Sequence, residues 1–320
     1  MDTFIQQLIN GLSLGSLYAL IAVGYTVVYG ILQLINFAHG EVFMIGAFGA
    51  LTTSLVLFEG NTALWTLPVM IIGAVIASVT TAVLMERFAY RPLRNAPRLA
   101  PLITAIGVSV FLQELVRLNY NKVPFTSWNP FDLPDAKSRI PFPQIDVVTG
   151  PAIQVGGVTI QRAAIFTIGA LIVCSALLWY FINRTKMGRG MKAVSQDADT
   201  ARLMGINVDR IIVVAFALGA VLAAVAGVAQ GLQNNNIDFR MGFLAGLKAF
   251  TAAVIGGIGN VEGAVLGGLV LGVTEAMATQ YIPGQFGGGP WKDVWAFVLL
   301  ILVLVFRPQG LLGAKEVDRA

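Results

Sequence analysis

Two residue types that carry much of enzyme chemistry are almost missing. The chain has one cysteine, Cys174, and one histidine, His39. A lone cysteine forms no internal disulfide and excludes C-x-x-C redox or metal spacing. Inside an apolar run, Cys174 reads as a small packing residue. A single histidine excludes the H-E-x-x-H zinc pattern. Any Ser-His-Asp triad would have to use His39, which lies in "NFAHGEVF" at a predicted span boundary. No "GK" dipeptide occurs, so the G-x-x-x-x-G-K-[ST] phosphate loop is absent and ATP is not hydrolysed by that route. Charge is scarce as well. Only 12% of residues are Asp, Glu, Lys or Arg, against about 25% in soluble domains.

What is abundant is apolar surface. Of 320 residues, 56% are hydrophobic, and mean hydropathy is +0.76. One water-soluble core cannot hide that much, so lipid is the expected solvent and membrane lipid the expected surroundings. The net charge of +4 matters less than its distribution, which sets orientation in a membrane and gives no reason to expect a nucleic acid partner. The opening "MDTFIQQ" lacks the basic region of a cleaved signal peptide, so the first apolar segment is expected to stay as a membrane helix.

A span needs about 20 mostly apolar residues. Candidates fall at 9–32, 36–57, 65–86, 100–118, 163–182, 211–232, 244–258 with 261–279, and 293–306. The pair around "GGIGN" is short and broken by glycine: either two spans, or one span plus a re-entrant half-helix. The fold class is therefore all-α, a single polytopic transmembrane bundle over 1–320 with eight or nine membrane segments. Thirteen of the 21 basic residues lie in 86–98, 183–210 and 307–320. Positive loops stay cytoplasmic, which puts these segments and the C-terminus inside and the N-terminus outside. The stretch 119–162, with "VPFTSWNPFDLPDAKSRIPFPQ", then reads as an irregular external cap, in which "IQVGGVTI" can form a short hairpin.

Small residues recur every four positions: Gly219, Ala223, Gly227 and Gly231; Gly11, Gly15 and Ala19; Gly259, Gly263 and Gly267. On helices these make strips along which backbones approach closely, the main source of helix association in lipid. They speak of packing and not of chemistry. A weak echo links "NFAHGEVFMIGAFGA" with "FLAGLKAFTAAVIGGIG". Each places a polar residue near the start of a glycine-studded helix, as broken helices do at the binding sites of transporters built from repeats.

The polar insert "MGRGMKAVSQDADTARLMGINVDR" stands apart. Ser195 or Asp197 supplies a helix N-cap. Asp199 and Arg202 can pair at i,i+3, and Gly205 sits where a helix-ending glycine belongs. Asp209 is placed to cap the next span. The plain reading is a well-capped connector between spans; the other is a rigid knob that docks on a cytoplasmic partner.

Longer blocks carry a resemblance. "KMGRGMKAVSQDADTARLMGINVDR" with "FALGAVLAAVAGV", "GLKAFTAAVIGGIGNVEGAVLGGLVLGVTE", "GLSLGSLYALIAVGYTVVYGILQLINFAHGEVFMIGAF" and the terminal "FVLLILVLVFRPQGLLG" are similar to blocks of the branched-chain amino acid ABC permeases, most of all the LivH-type subunit. The resemblance covers nearly the whole chain apart from 119–162. It implies an importer of the bacterial cytoplasmic (inner) membrane. A second, LivM-like permease would pair with this chain. Two ATP-binding subunits would bind the ATP, so no cofactor belongs to this chain, which is a transport subunit and not an enzyme. An external solute-binding protein would deliver leucine, isoleucine or valine. The segment 183–210 becomes the coupling loop, with Asp197, Arg202, Leu203, Met204, Gly205 and Ile206 as ATPase-coupling residues. The same blocks suit related permeases for urea, short amides or other amino acids.

Polar residues within spans are costly, by about 2.5–3.5 kcal/mol for a charge at mid-bilayer, and so face protein or a cavity. They are Asn36, His39, Glu41, Gln113, Glu114, Lys248, Thr251, Glu262 and Glu275. Snorkelling at span ends accounts for Glu114, Glu262 and Lys248. Asn36, His39, Lys248 and Thr251 are the candidate translocation-path residues, because they sit at glycine-rich helix starts. A self-contained secondary transporter would favour carboxylates at span centres; most here lie near predicted ends. A membrane enzyme fits less well, given the missing His, Cys and metal spacings.

Overall fold

The computed structural model describes residues 1–94, 96–97, 99–122 and 128–313. Arg98, Lys315 and Arg319 of the basic segments, and positions 123–127 of the long loop, lie outside them. Among the described residues, eight helical segments are long and apolar enough to cross a membrane. They are built on α1 (Asp2–Leu32), α2 (His39–Phe58), α3 (Thr66–Met85, continued by a π and a 3-10 turn to Leu93), α4 (Leu99–Asn119), α5 (Arg162–Arg184), α8 (Val208–Asn234), α10 (Val261–Tyr281) and α11 (Lys292–Phe306), which a preceding 3-10 turn extends back to Gly289 to make 18 residues. Two short polar helices, α6 (Lys186–Gln196) and α7 (Ala198–Leu203), fill the insert before α8. The open question around "GGIGN" resolves into one short helix and one span. α9 (Met241–Gly256) has 16 residues, about 24 Å at 1.5 Å per residue, against a hydrocarbon core of about 30 Å.

Burial orders the bundle. α1 and α8 form its axis, with 78% and 72% of their spans inside the protein, whereas α5 and α11 lie on the perimeter at 17% and 6%. The small-residue strips explain the close axial contacts. A Cβ on Gly272 of α10 would lie 2.2 Å from the Gly15 nitrogen of α1, and one on Gly227 of α8 would lie 2.5 Å from the Phe43 carbonyl of α2. Backbones in van der Waals contact replace the hydrophobic drive that lipid does not supply. One strip is shorter than its spacing suggested: Gly259 sits in the turn between α9 and α10 at φ +93°, while Gly263 and Gly267 pack on α9.

The described basic segments gather at one end. There Arg91 and Arg94 bond Asp209, and the tail runs along the α9–α10 turn, where Leu311 and Leu312 donate to the Ile255 and Gly256 carbonyls at 2.8 and 2.9 Å. The opposite end carries the cap. Ile140 of β1 (Ile140–Pro141) pairs with Ile237 of β4 (Asn236–Ile237). β2 (Pro151–Val155) and β3 (Val158–Gln161) form the hairpin around Gly156 and Gly157. These two short antiparallel ladders are the departure from an all-α chain. The cap is also less irregular than its proline content suggests. Phe142 and Ile145 are buried, with Phe142 seated on Gly231 of α8, and Gln6 of α1 brackets the hairpin through Thr159 at 2.7 and 3.0 Å.

One irregularity positions the interior polar groups. α1 ends at Gln33 in a left-handed conformation, φ 52°. Residues 33–38 then fold back, so that α2 starts beside the middle of α1. A Cβ on Gly24 would lie 2.4 Å from the His39 imidazole, and Gly24 is eight residues, about 12 Å, short of the end of α1.

Candidate functional site

His39 was expected at a span boundary; the fold-back carries it to the membrane interior, where it is 2% exposed. Its ring meets Tyr25 edge-on at 4.8 Å. Asn36, on the fold-back, accepts a 2.6 Å hydrogen bond from the Tyr90 hydroxyl. Two residues beyond His39, Glu41 is fully buried. Its Oε1 accepts from Ser109 at 2.9 Å and Gln113 at 2.8 Å, both on α4. Ser109 is ten residues from either end of α4, which sets this carboxylate at mid-span. Sequence spacing had most carboxylates near span ends. Glu41 is the exception, because α2 starts inside the bundle; Glu275 and Glu86 are buried too, but Glu86 follows the end of α3 at the basic end, beside Arg94.

Lys248 is a second correction. Its ammonium does not snorkel to a boundary but is buried between Glu275 Oε1 at 2.8 Å, Asp293 Oδ1 at 2.5 Å and the Tyr18 hydroxyl at 3.1 Å. Tyr18 in turn donates to Glu275 Oε2 at 3.1 Å. Thr251, 1% exposed, spends its hydroxyl on the Leu247 carbonyl of its own helix at 2.9 Å. Asn36 and His39 therefore share one polar cluster, with Tyr25, Tyr90 and Glu41. Lys248 belongs to another, with Tyr18, Glu275 and Asp293. Thr251 belongs to neither. Tyr25, Tyr90 and Asp293 escaped sequence reasoning: Tyr25 inside an apolar helix looks like packing, Tyr90 sits among the arginines of a basic loop, and Asp293 opens its helix like an ordinary first-turn acid.

Three cavities frame these clusters. At the cap end, one of about 610 Å³ lies between α1, α5, α8 and the cap, with Asn10, Gln144, Gln161 and Gln233 in its wall. Gln233 donates to Ser13 and Thr167, each at 2.7 Å. At the basic end, one of about 200 Å³ is lined by Thr26, Met191 and Lys192. Thr26 also lines a gap of about 10 Å³ with Tyr25, Asn36 and Phe250, the space of about one water. Among the described residues, no group of three or more His, Cys, Asp or Glu is placed to hold a metal.

The insert at the basic end is more finely divided than one helix. Asp197 caps α7, accepting from the Asp199 and Thr200 amides at 2.9 and 3.0 Å and from the Thr200 hydroxyl at 2.5 Å. The Thr200 hydroxyl and amide, with the Asp199 amide, hold its carboxyl below the usual range. Ser195 is not a cap: it lies in the last turn of α6 and donates to the Lys192 carbonyl at 2.8 Å. Asp199 and Arg202 pair at 3.1 Å. Gly205, at φ +81°, ends the helix, as a residue without Cβ does most easily. Leu203 and Met204 project outward, 88% and 78% exposed. Ile206 turns inward and packs against the core beside Gly190. The next span is capped by Asn207, which accepts from the Arg210 amide at 3.0 Å; Asp209 serves Arg91 and Arg94 instead.

The comparisons with known proteins fit this architecture. The family described as branched-chain amino acid transport system / permease component matches residues 7–304. The high-affinity branched-chain amino acid transport system permease protein BraD of Pseudomonas aeruginosa is 46% identical over 99% of this chain and 98% of its own. LivH, the permease protein of the corresponding high-affinity system in Escherichia coli K12, is 41% identical over 99% of this chain and 97% of its own. With eight helices among the described residues long and apolar enough to cross a membrane, and a match along nearly its whole length, the chain belongs to the permease-component family of branched-chain amino acid transport systems, multi-pass proteins of the bacterial inner membrane.

Proposed function

We propose that this chain is the membrane subunit of an ATP-binding cassette importer that passes leucine, isoleucine or valine inward from an external binding protein. A second, LivM-like permease completes the pathway, and two ATP-binding subunits supply the energy; the chain itself performs no reaction. The basic end faces the cytosol, following the positive-inside rule. The reading rests on full-length similarity to two high-affinity branched-chain amino acid permeases. The outward pair Leu203 and Met204 supports it, as large apolar side chains held in water on a capped helix in a polar insert. With Asp197 and Gly205 as its end-stops and Arg202 beside it, that helix is the knob the ATPase grips. Closure of the ATPase pair moves it, and the bundle alternates between its cap-end and basic-end openings.

The test is reconstitution of the complete complex in proteoliposomes. ATP and the binding protein together drive leucine uptake. Gly205→Pro, incompatible with φ +81° because proline fixes φ near −65°, leaves the bundle folded and separates ATP hydrolysis from uptake. Leu203→Asp, at an exposed position, lowers uptake in the same way. Normal uptake by both variants refutes the docking role. Gradient-driven flux by this chain alone refutes the importer.

A further inference from the structure

The Glu41 carboxylate is only half used. Oε1 accepts two hydrogen bonds from α4, while Oε2 is buried and has no partner. Among the described residues, no Lys or Arg pairs with it. Oε2 points at the first turn of α9, where a Cβ on Gly242 would lie 2.5 Å from it and 2.6 Å from the Gly40 carbonyl. A buried carboxylate oxygen with no partner calls for a cationic or proton-bearing group. The neighbours are of the same unfinished kind. Tyr25 Oη, 3.2 Å from a Cβ built on Gly246, is also buried without a partner, as are Thr26 Oγ1, Asn36 Nδ2 and His39 Nε2. The starts of α2 and α9 meet here through Gly40, Gly242 and Gly246. The first-turn amides of both helices favour negative charge. The chemistry is thus an acid that lacks a cation beside two helix starts that favour an anion.

We propose that Glu41 Oε2 receives the α-ammonium group of the amino acid in transit, with the substrate carboxylate turned toward the starts of α2 and α9. The proposal rests on the amino acid importer reading above. In the present arrangement the glycine contacts close the site. Separation of α9 from α2 opens it; Tyr25 beside it lines the small gap with Thr26, and Thr26 also lines the basic-end cavity. The ligand class is a zwitterion with a small or branched apolar side chain. A neutral solute such as urea or an amide has no charge to offer Glu41.

The test uses the complete complex. Glu41→Gln keeps the size and the contacts to Ser109 and Gln113 but removes the charge. Leucine uptake falls at least tenfold while assembly and ATP hydrolysis persist. 3-Methylbutylamine, the amine half of leucine, inhibits wild-type uptake and leaves the residual Glu41→Gln uptake unchanged; 4-methylpentanoate, the acid half, does not distinguish the two. Unaltered uptake by Glu41→Gln, or equal inhibition of both proteins by the amine, overturns the proposal. Should Glu41→Gln fail to assemble, modification of wild-type Glu41 by an apolar carbodiimide, read by mass spectrometry, decides. Protection by leucine and by the amine supports the site; labelling that neither changes, or no labelling, overturns it. A wild-type complex that takes up no leucine refutes the importer reading itself.

Discussion

Replacing Lys248 by methionine is the sharpest perturbation the fold offers. The ammonium is shared by Glu275 at 2.8 Å and Asp293 at 2.5 Å, with side chains 6%, 2% and 36% exposed. At an effective dielectric constant of about 20, unit charges 2.8 Å apart attract by roughly 6 kcal/mol. Most of that offsets desolvation of the ions, so the attraction is not a net stability. Removing only the cation leaves the desolvation of Glu275 uncompensated and sets two acids against each other. Breaking a buried pair in this way costs about 3–5 kcal/mol. Glu275→Gln is milder: the ammonium keeps Asp293 and the Tyr18 hydroxyl, and the loss is about 1–3 kcal/mol. In the double variant Lys248→Met/Glu275→Gln, part of the first loss returns, a coupling of about 1–3 kcal/mol. Equilibrium unfolding in mixed micelles, followed by two independent probes, measures all three. Equal losses for the two single variants, or simple additivity in the double, refute a cluster centred on Lys248.

Two further predictions concern the basic end. Because Thr200 and Asp199 hold the Asp197 carboxyl below its ordinary range in the folded chain, the α7 cap is fully present above the unfolded carboxylate value. It is lost as the pH falls through the depressed folded value. Hydrogen exchange at the Asp199 and Thr200 amides, followed in nanodiscs on acidification, shows this as local loss of protection while the spans stay protected; protection that does not change with pH refutes it. Tyr90→Phe removes the donor to Asn36 Oδ1 and leaves a buried acceptor unpaired, at about 1–3 kcal/mol. It loosens the 33–38 fold-back, read as faster labelling of a cysteine placed at position 35, and unchanged labelling refutes the link.

The spans were legible because their signal is thermodynamic: a run of about 20 apolar residues has few alternatives in lipid. Each fell within a few residues of its expected bounds at most ends. The start of α1, seven residues early, is the exception, since polar Gln6 and Gln7 lie on the helix. The two segments of the echo, "NFAHGEVF" and "FLAGLKAF", lie at the starts of α2 and α9, which touch through Gly40, Gly242 and Gly246, a contact that the echo did not foretell. Depth was illegible. Hydropathy places a polar residue along a segment but does not say that the segment folds back, so His39, Glu41 and Lys248 looked like boundary residues. Partners were illegible for the same reason. Tyr18 and Lys248 are 230 residues apart, and no periodicity within one helix encodes that distance. Local chemistry misled at Asp209, where a first-turn acid has two uses. A dipole-favoured cap is worth about a kilocalorie, and two arginines on the neighbouring loop compete for the same carboxylate.

Those arginines bear on how motion at the basic end reaches the polar interior. Asp209 bonds Arg91 and Arg94, and Arg94 also bonds buried Glu86. Glu86 opens the π-helical turn Glu86–Tyr90, whose last residue holds Asn36 on the fold-back. The fold-back in turn fixes where α2 starts, and with it His39 and Glu41. Contiguity alone does not transmit force; an element with two arrangements is needed. The segment from Glu86 to Leu93 has the attributes of one. It changes within eight residues from π to 3-10 geometry, the kind of departure from α-helix that often marks a functional hinge. Its side chains are held by different bodies, Arg91 by Asp209 on α8 and Tyr90 by Asn36 on the fold-back. The axial glycine contacts, by contrast, set backbone against backbone and leave no room for even a Cβ.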